Sequence, residues 1–518
     1  MDVDDRKRAE PAEVIAAFEA LCLQTSGDAP SVYRAPSYHD GVTTDPPVLI
    51  QGGMGAGVSD WRLARAVAAA GHLGVVSGTG LDGILVRRLQ DGDPDGAIRR
   101  ALASFPIAGV SDRILGTYFI EGGKGSGERY RSKPMPRVKP SRNLVELMVA
   151  ANFVEVNLAK EGHDGLVGIN YLEKIQSPHL PSIYGAMLAG VDYVLMGAGI
   201  PMAIPGVLDR LNEGLPVEYR LDVKGALRGE TFTMSFDPVE FGDGTLPPAP
   251  RPKFLAIVSS HVLATALVRK ASGRVDGFVV EGPTAGGHNA PPRGKVQLSP
   301  DGEPIYGDRD IPDLEVFRNL GLPFWLAGGY GEPDQITAAL ALGAAGAQVG
   351  TAFAYCEESG FTAETKRRVV ELSKAGRAKI YTDPVASPTG FPFKVVELED
   401  SLSNQAVYEQ RSRICDLGYL RTAYRRDDGT VGWRCPSEPV EDYLRKGGSE
   451  ADTIGRKCLC NSLIANIGLP QVQRNGDVEG ELITSGDDVA GVARFLPAGR
   501  DTYRAIDVIN YLRPASEA

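Results

Sequence analysis

Short, continuous apolar runs recur along this chain, nearly all closed by glycine and several followed by a helical pattern. "PVLIQGG" (47–53) leads into "SDWRLARAVAAAG" (59–71), and "LGVVSGTG" (73–80) comes next. "GLVGINYL" (165–172) precedes "SIYGAMLAG" (182–190), and "VDYVLMGAG" (191–199) follows directly. "KFLAIVSS" (253–260) runs into "HVLATALVRKASG", and "VDGFVVEG" (275–282) follows it. "LPFWLAGG" (322–329) precedes "EPDQITAALALG", and "AAGAQVGTAF" (344–353) is the last of the eight. Runs that do not alternate with polar residues suit parallel strands buried on both faces. Strand, helix, strand in steady order means βα units. Ser59 or Asp60 can cap the first helix, Gly71 can end it, and Pro333 suits a first helical turn.

Eight such units predict a (β/α)8 TIM barrel, with ligands bound at the C-terminal ends of the strands. The rival is an open doubly wound sheet. Its G-x-G-x-x-G fingerprint is only loosely echoed by "GGMGAG". The next run, "LGVVSG", lacks the acidic residue that holds a ribose in that fold.

With 518 residues the chain exceeds one small core, so the barrel is expected to carry additions. The division read from the sequence is a leader over 1–45, the barrel over 46–383 and a C-terminal extension or lid over 384–518. Insertions fall near 81–164 and 205–252. The first contains "EGGKGSGERYRSKPMPRVKPSR" (121–142), with seven Lys or Arg against two Glu. It reads as a solvated, mobile loop, or else as a cationic lip for an anionic substrate. In the second, "VEYRLDV" and "ETFTMSF" can pair as a hairpin.

A net charge of −11 argues against general nucleic-acid binding. No apolar run reaches the length of a membrane span, and the charged N-terminus is not a signal peptide. Six cysteines are too few for a disulfide scaffold, so a cytoplasmic location is expected. Cys415, Cys435, Cys458 and Cys460 lack the paired C-x2-C spacing of zinc sites and read as free buried thiols, with no metal assigned.

The strand ends form one rim. "AGG" after the seventh run and "GT" after the eighth stand where barrel enzymes hold a phosphate on backbone N–H groups. Gly328, Gly329, Gly350 and Thr351 are the phosphate candidates. "EGPTAGGHNAPPRG" (281–294) carries His288 over the rim on a glycine-rich loop, where an imidazole can exchange a proton. His261, at the start of a helix beside the rim, is a second candidate.

The combination of "AGGH", "AGG" and "QVGT" resembles the flavin-dependent nitronate monooxygenases, formerly 2-nitropropane dioxygenases. Their superfamily includes FMN-dependent enoyl-acyl-carrier-protein reductases. The likeness covers roughly 46–356, outside the insertions. It implies FMN as cofactor. Gln51, Gly52, Gly53 and Met54 would line the flavin ring, Asn170 would contact FMN, and Gly286 and Gly287 would pass close to it. Gly328, Gly329, Gln348, Gly350 and Thr351 would hold the phosphate, and Val349 would also bind the cofactor. Glu281 stands at a cofactor-facing position where the monooxygenases often carry Gln and is closer to the enoyl reductases. His288 would act on the substrate. "DPVASPTGFPFKVV" (383–396) resembles a segment that folds back over the site in relatives, offering Ser387, Thr389, Phe391 and Phe393.

The implied function is oxidation of alkyl nitronates with O2 to a carbonyl compound and nitrite. One alternative is an NAD(P)H-dependent reductase of enoyl thioesters, with an acyl carrier protein as partner. Another is an FMN-binding scaffold within a biosynthetic assembly. A homodimer is left open.

Overall fold

The computed structural model describes residues 46–513. The leader expected over 1–45 lies outside them. Eight strands close into a barrel: β1 (Leu49–Gln51), β2 (Leu73–Ser77), β3 (Val167–Leu172), β4 (Tyr193–Gly197), β5 (Lys253–Val258), β6 (Gly277–Glu281), β7 (Phe324–Ala327) and β8 (Gly346–Val349). Each pairs in parallel with its sequence neighbours, and β8 returns to β1. These are the eight apolar runs of the sequence. The open-sheet alternative is excluded by closure.

The interior is filled by Ile50, Val75, Tyr193, Leu195, Leu255, Val279 and Trp325, as a packed barrel core requires. The Trp325 indole N–H donates to the Pro47 carbonyl at 2.6 Å, which satisfies the one polar atom of that ring. Register places Gln51 beside Val349, and Ala327 beside both Glu281 and Gln348. The C-terminal strand ends therefore form one level, and the site is built on it.

Asp60 caps the helix Trp61–Ala69 by accepting from Arg62 N, and Pro333 opens the helix Pro333–Ala341. The excursion over 81–164 is mostly helical, with Leu81–Gln90, Ala97–Ala103, Val110–Tyr118 and Arg142–Ala159. Within 205–252 the expected hairpin forms, Val217–Arg220 antiparallel to Thr233–Phe236.

The basic segment 121–142 is largely exposed, as its solvated reading expects, but it is anchored at Tyr130 and Lys133. Tyr130 is buried, and its N–H donates to the Gln471 side chain at 2.9 Å. Lys133 is 3% exposed and pairs with buried Asp82 at 2.7 Å. Asp82 also accepts from the Tyr419 hydroxyl at 2.6 Å. The segment is thus pinned at Tyr130 and Lys133 between the helix Leu81–Gln90 and the extension, while Arg129, Arg131, Arg137 and Lys139 are exposed. It does not line the cavities at the barrel mouth.

The extension packs on the barrel over a wide front. One apolar cluster joins Leu49 and Val349 of the barrel to Val396, Ile483, Val489, Tyr503 and Ile509. Among the described residues no helix is long and apolar enough to cross a membrane.

Candidate cofactor and substrate site

A cavity of about 210 Å3 lies at the C-terminal strand ends. It is lined by Gly52, Gly53 and Met54 after β1, Asn170 on β3, Glu281 at the end of β6, and Gly286, Gly287 and His288 on the loop that follows. Gly328, Gly329, Gln348, Val349, Gly350 and Thr351 complete the far side. The structure therefore brings His288 and the predicted cofactor-binding residues together around one space, with Gln51 the exception among them. Gln51 is fully buried beneath the rim, where its amide donates to Ser59 Oγ at 3.0 Å and accepts from Val75 N at 3.1 Å. It braces the first rim loop from below.

Several polar atoms at this cavity are buried without a protein partner. Asn170 Oδ1, Gln348 Oε1, Thr79 Oγ1 and Ser485 Oγ all belong to residues of its wall. Buried polar groups are nearly always satisfied, so four orphans around one cavity call for a polar ligand. The glycines leave it room. Gly328 and Gly329 have φ of 92° and 79°, which L side chains rarely adopt. A Cβ on Gly350 would come into ordinary contact with Met54, 3.5 Å from its sulfur, so a larger side chain there would press on the cavity wall.

Residues 484–488 of the extension help to close this cavity, a stretch the sequence did not single out. Gly486 N donates to Thr351 Oγ1 at 2.9 Å, and Gly287 N donates to Thr484 Oγ1 at 3.0 Å. A Cβ on Gly286 would lie 2.7 Å from Gly486 N, so only glycine admits this crossing. Asp488 lines the cavity, and its carboxylate is neutralised by Arg494 at 2.7 Å. Tyr419, Leu420, Leu459, Leu463 and Ile464 add an apolar wall. These contacts join residues more than a hundred positions apart, where local pattern carries no signal.

His288 stands at the junction with a second cavity of about 570 Å3. Glu281, His288, Ala198, Ile257, Tyr419 and Leu420 line both spaces. Ala198 sits at the end of β4 with φ of 55°, a strained value for alanine, at the shared wall. His288 Nε2 shares a 2.7 Å hydrogen bond with Ser387 Oγ, which is bonded in turn to Thr389 Oγ1 at 2.8 Å. Its ring lies edge-on to Phe393, centroids 4.8 Å apart, and to Phe391 at 6.4 Å. Ser387, Phe391 and Phe393 thus pack directly against the imidazole.

Burial in these apolar surroundings depresses the His288 imidazole to a pKa of about 4. The same cause raises the Glu281 carboxyl to about 8. Both groups are neutral at pH 7. Among the described residues Glu281 has no hydrogen-bond or ion-pair partner in the protein. His261 is engaged elsewhere: its Nδ1 accepts from Asp313 N at 3.1 Å, and it lines neither cavity. Arg293 donates to the backbone carbonyls of Ser259 and Arg309.

A closed (β/α)8 barrel with a glycine-rimmed ligand cavity at its C-terminal face defines the general class. Residues 251–384 match the family model described as Nitronate monooxygenase. A nitronate monooxygenase from Pseudomonas aeruginosa is 34% identical over 155 residues, covering 28% of this chain and 41% of that protein. A "(3aS,4S,5R,7aS)-5-hydroxy-7a-methyl-1-oxo-octahydro-1H-indene-4-carboxyl-CoA dehydrogenase" from Mycobacterium tuberculosis is 24% identical over 267 residues, covering 50% of this chain and 67% of that protein. Among solved structures, FabK from Thermotoga maritima aligns at TM-score 0.40 and 16% identity, over 90% of this chain and 91% of that one. Nitroalkane oxidase from Streptomyces ansochromogenes aligns at 0.42 and 16%, over 90% and 96%. The likeness to the nitronate monooxygenase family is thus carried by the segment 251–384, which holds the sixth and seventh barrel strands and the loop bearing His288.

Proposed function

We propose that the chain is an FMN-dependent oxidoreductase that converts alkyl nitronates and O2 to a carbonyl compound and nitrite. The observation that carries the reading is the cavity at the barrel mouth, with orphaned polar atoms on Asn170, Gln348, Thr79 and Ser485. The amide oxygens of Asn170 and Gln348 need donors and the two hydroxyls can donate, a mixed demand that fits a group carrying both donors and acceptors, such as FMN. Gly328, Gly329, Gly350 and Thr351 would hold its phosphate. Thr351 accepts from Gly486 N, so its own O–H is left to donate. Asn170, Gln348, Gly52 and Gly53 would hold the remainder. Bound FMN supplies the electron acceptor that no side chain here provides.

The state of His288 supports a preformed nitronate as substrate. A base with a pKa of about 4 is poorly matched to removing a proton from a neutral nitroalkane. A neutral imidazole held by Ser387 can instead orient an anion. When Ser387 donates to Nε2, the proton sits on Nδ1 and can be donated to the substrate. A protonated Glu281 adds no negative charge that would repel it. Phe391 and Phe393 exclude water from the imidazole.

A second reading, reduction of an enoyl thioester with NAD(P)H as reductant, is favoured by the second cavity. At about 570 Å3, with Lys174 and Arg421 in its wall, it exceeds what a small nitronate fills. The relative from Mycobacterium tuberculosis bears a carboxyl-CoA substrate in its name. Glu281, protonated at neutral pH, could then donate a proton. The deciding experiment mixes the purified flavoprotein anaerobically with a nitronate and, separately, with NADH and NADPH. Bleaching of the flavin by nitronate alone supports the first reading. Bleaching only by a nicotinamide replaces it with the second. Flavin that neither bleaches would leave the scaffold reading.

A further inference from the structure

His288 ends a chain of two hydroxyls, and the groups around that chain give it a direction. His288 Nε2 meets Ser387 Oγ at 2.7 Å, and Ser387 Oγ meets Thr389 Oγ1 at 2.8 Å. Ser387 is fully buried, so the proton and lone pairs of its oxygen must be matched within the protein. A hydroxyl has one proton to give and two lone pairs to fill. Thr389 N donates to Ser387 Oγ at 3.2 Å and fills one of them. When the Thr389 O–H fills the other, the serine proton has one acceptor left, His288 Nε2. In the reverse order Nε2 donates to Ser387, and Ser387 donates to Thr389. Thr389 Oγ1 would then accept twice, from Ser387 and from Phe391 N at 3.4 Å. Its own proton would have no acceptor among the described residues. The forward order uses both hydroxyl protons inside the protein. The N–H it leaves over is on His288, which lines both cavities.

The loop that carries the two hydroxyls is held on several sides. Asp383 Oδ1 accepts from Val385 N and Ala386 N, both at 2.9 Å. Arg456 donates to the Val385 and Ser387 carbonyls at 2.7 and 2.6 Å. Lys457 N donates to the Ala386 carbonyl at 2.8 Å. Asn289 N donates to the Pro392 carbonyl at 3.0 Å, so the strand of chain after His288 is tied to the same loop. A side chain is kept in one productive geometry by support of this kind. Ser387 lines neither cavity, so whatever it does for a ligand it does through the imidazole.

We propose that Ser387 and Thr389 are positioning residues that fix His288 as its Nδ1–H tautomer, so that the imidazole presents a donor to the substrate. Which ring nitrogen carries the proton of a neutral imidazole is set by the hydrogen bond the other makes. An Nδ1–H can donate to an oxygen of an anionic nitronate. The opposite tautomer would offer that anion only a lone pair. The proposal rests on the reading of His288 as the group that faces the substrate, and it holds for either substrate considered above.

The test uses the full chain with its flavin, labelled with nitrogen-15 histidine, and reads the ring nitrogens by NMR at neutral pH. The His288 signals are those missing from His288→Ala. A protonated Nδ1 and an unprotonated Nε2 are expected, and a protonated Nε2 overturns the proposal. This readout needs no substrate and no change to either hydroxyl, so it stands even where a serine or threonine variant fails to fold. Ser387→Ala should move the proton toward Nε2 and keep the flavin. Its kcat/KM, with the substrate that bleaches the wild-type flavin, should fall by about 10-fold, the size of one lost hydrogen bond. An unchanged tautomer and rate in that variant also overturn the proposal. Thr389→Val should lose part of the rate and Thr389→Ser should recover it; equal rates in the two overturn the part given to Thr389. A wild-type flavin that no substrate bleaches would count against the function proposed above, while the tautomer would still decide this inference.

Discussion

His288 and Glu281 face one another's cavity wall as two neutral groups, and each gives a measurable signature. His288→Ala should retain flavin but slow nitronate-dependent flavin reduction by about 10²-fold, the scale of lost positioning. Stopped-flow bleaching checks it; unchanged kinetics would remove His288 from the reaction. For Glu281, burial holds the carboxyl protonated up to a pKa of about 8. Below that pH it is uncharged, and above it a carboxylate faces an anionic substrate. The rate with a nitronate should therefore fall as pH rises through about 8. Glu281→Gln, neutral at every pH, should lose that alkaline limb. The other titratable neighbours, His288 and Tyr306, are neutral on both sides of this window.

Among the elements, the rim loops carry the cofactor prediction and the inserted segments carry the stability prediction. Replacing Gly329 or Gly350 with Val should lower the flavin retained on purification, Gly329 through its φ of 79° and Gly350 by crowding the cavity wall at Met54. A full flavin complement in both variants would refute their phosphate role. Lys133→Met strands the Asp82 carboxylate in the interior, so it should cost about 3–5 kcal/mol in a denaturant melt. Adding Asp82→Asn should restore part of that loss. The barrel strands were legible because a strand buried on both faces must be a continuous apolar run, as "FVV" and "FWLA" are. The rim candidates were legible because strand ends fix where glycine and phosphate meet. Asp82, Tyr419 and Ser485 were not. Each is placed by a contact across tens or hundreds of residues, and neither period nor spacing encodes such a contact. The basic segment was legible only in part for the same reason: its charge was visible, and the buried partner of Lys133 was not.

At the scale of the whole molecule, the extension is part of the barrel's own core. Leu49, Val349 and Phe353 share one apolar cluster with Val396, Ile483, Val492, Tyr503 and Ile509. Ala386, Phe393, Leu402, Tyr419 and Leu482 belong to the cluster that also holds barrel residues Ile169, Val194 and Phe254. Polar contacts run across the same seam, with Tyr503 Oη donating to Ala352 O at 2.8 Å and Thr365 Oγ1 donating to Glu481 at 3.1 Å. A chain ended after Asp383 would expose both apolar surfaces and open the cofactor cavity to solvent. It should therefore lose the cooperative melt of the full chain, bind an apolar dye and retain no flavin. Calorimetry and dye fluorescence on the two chains check this. A truncated chain that melts cooperatively and keeps its flavin would mean that the barrel stands alone and the extension only shapes access. Loss of the cooperative melt would instead mean that residues 384–513 complete both core and site, so the lid over His288 cannot swing away as a unit without partial unfolding.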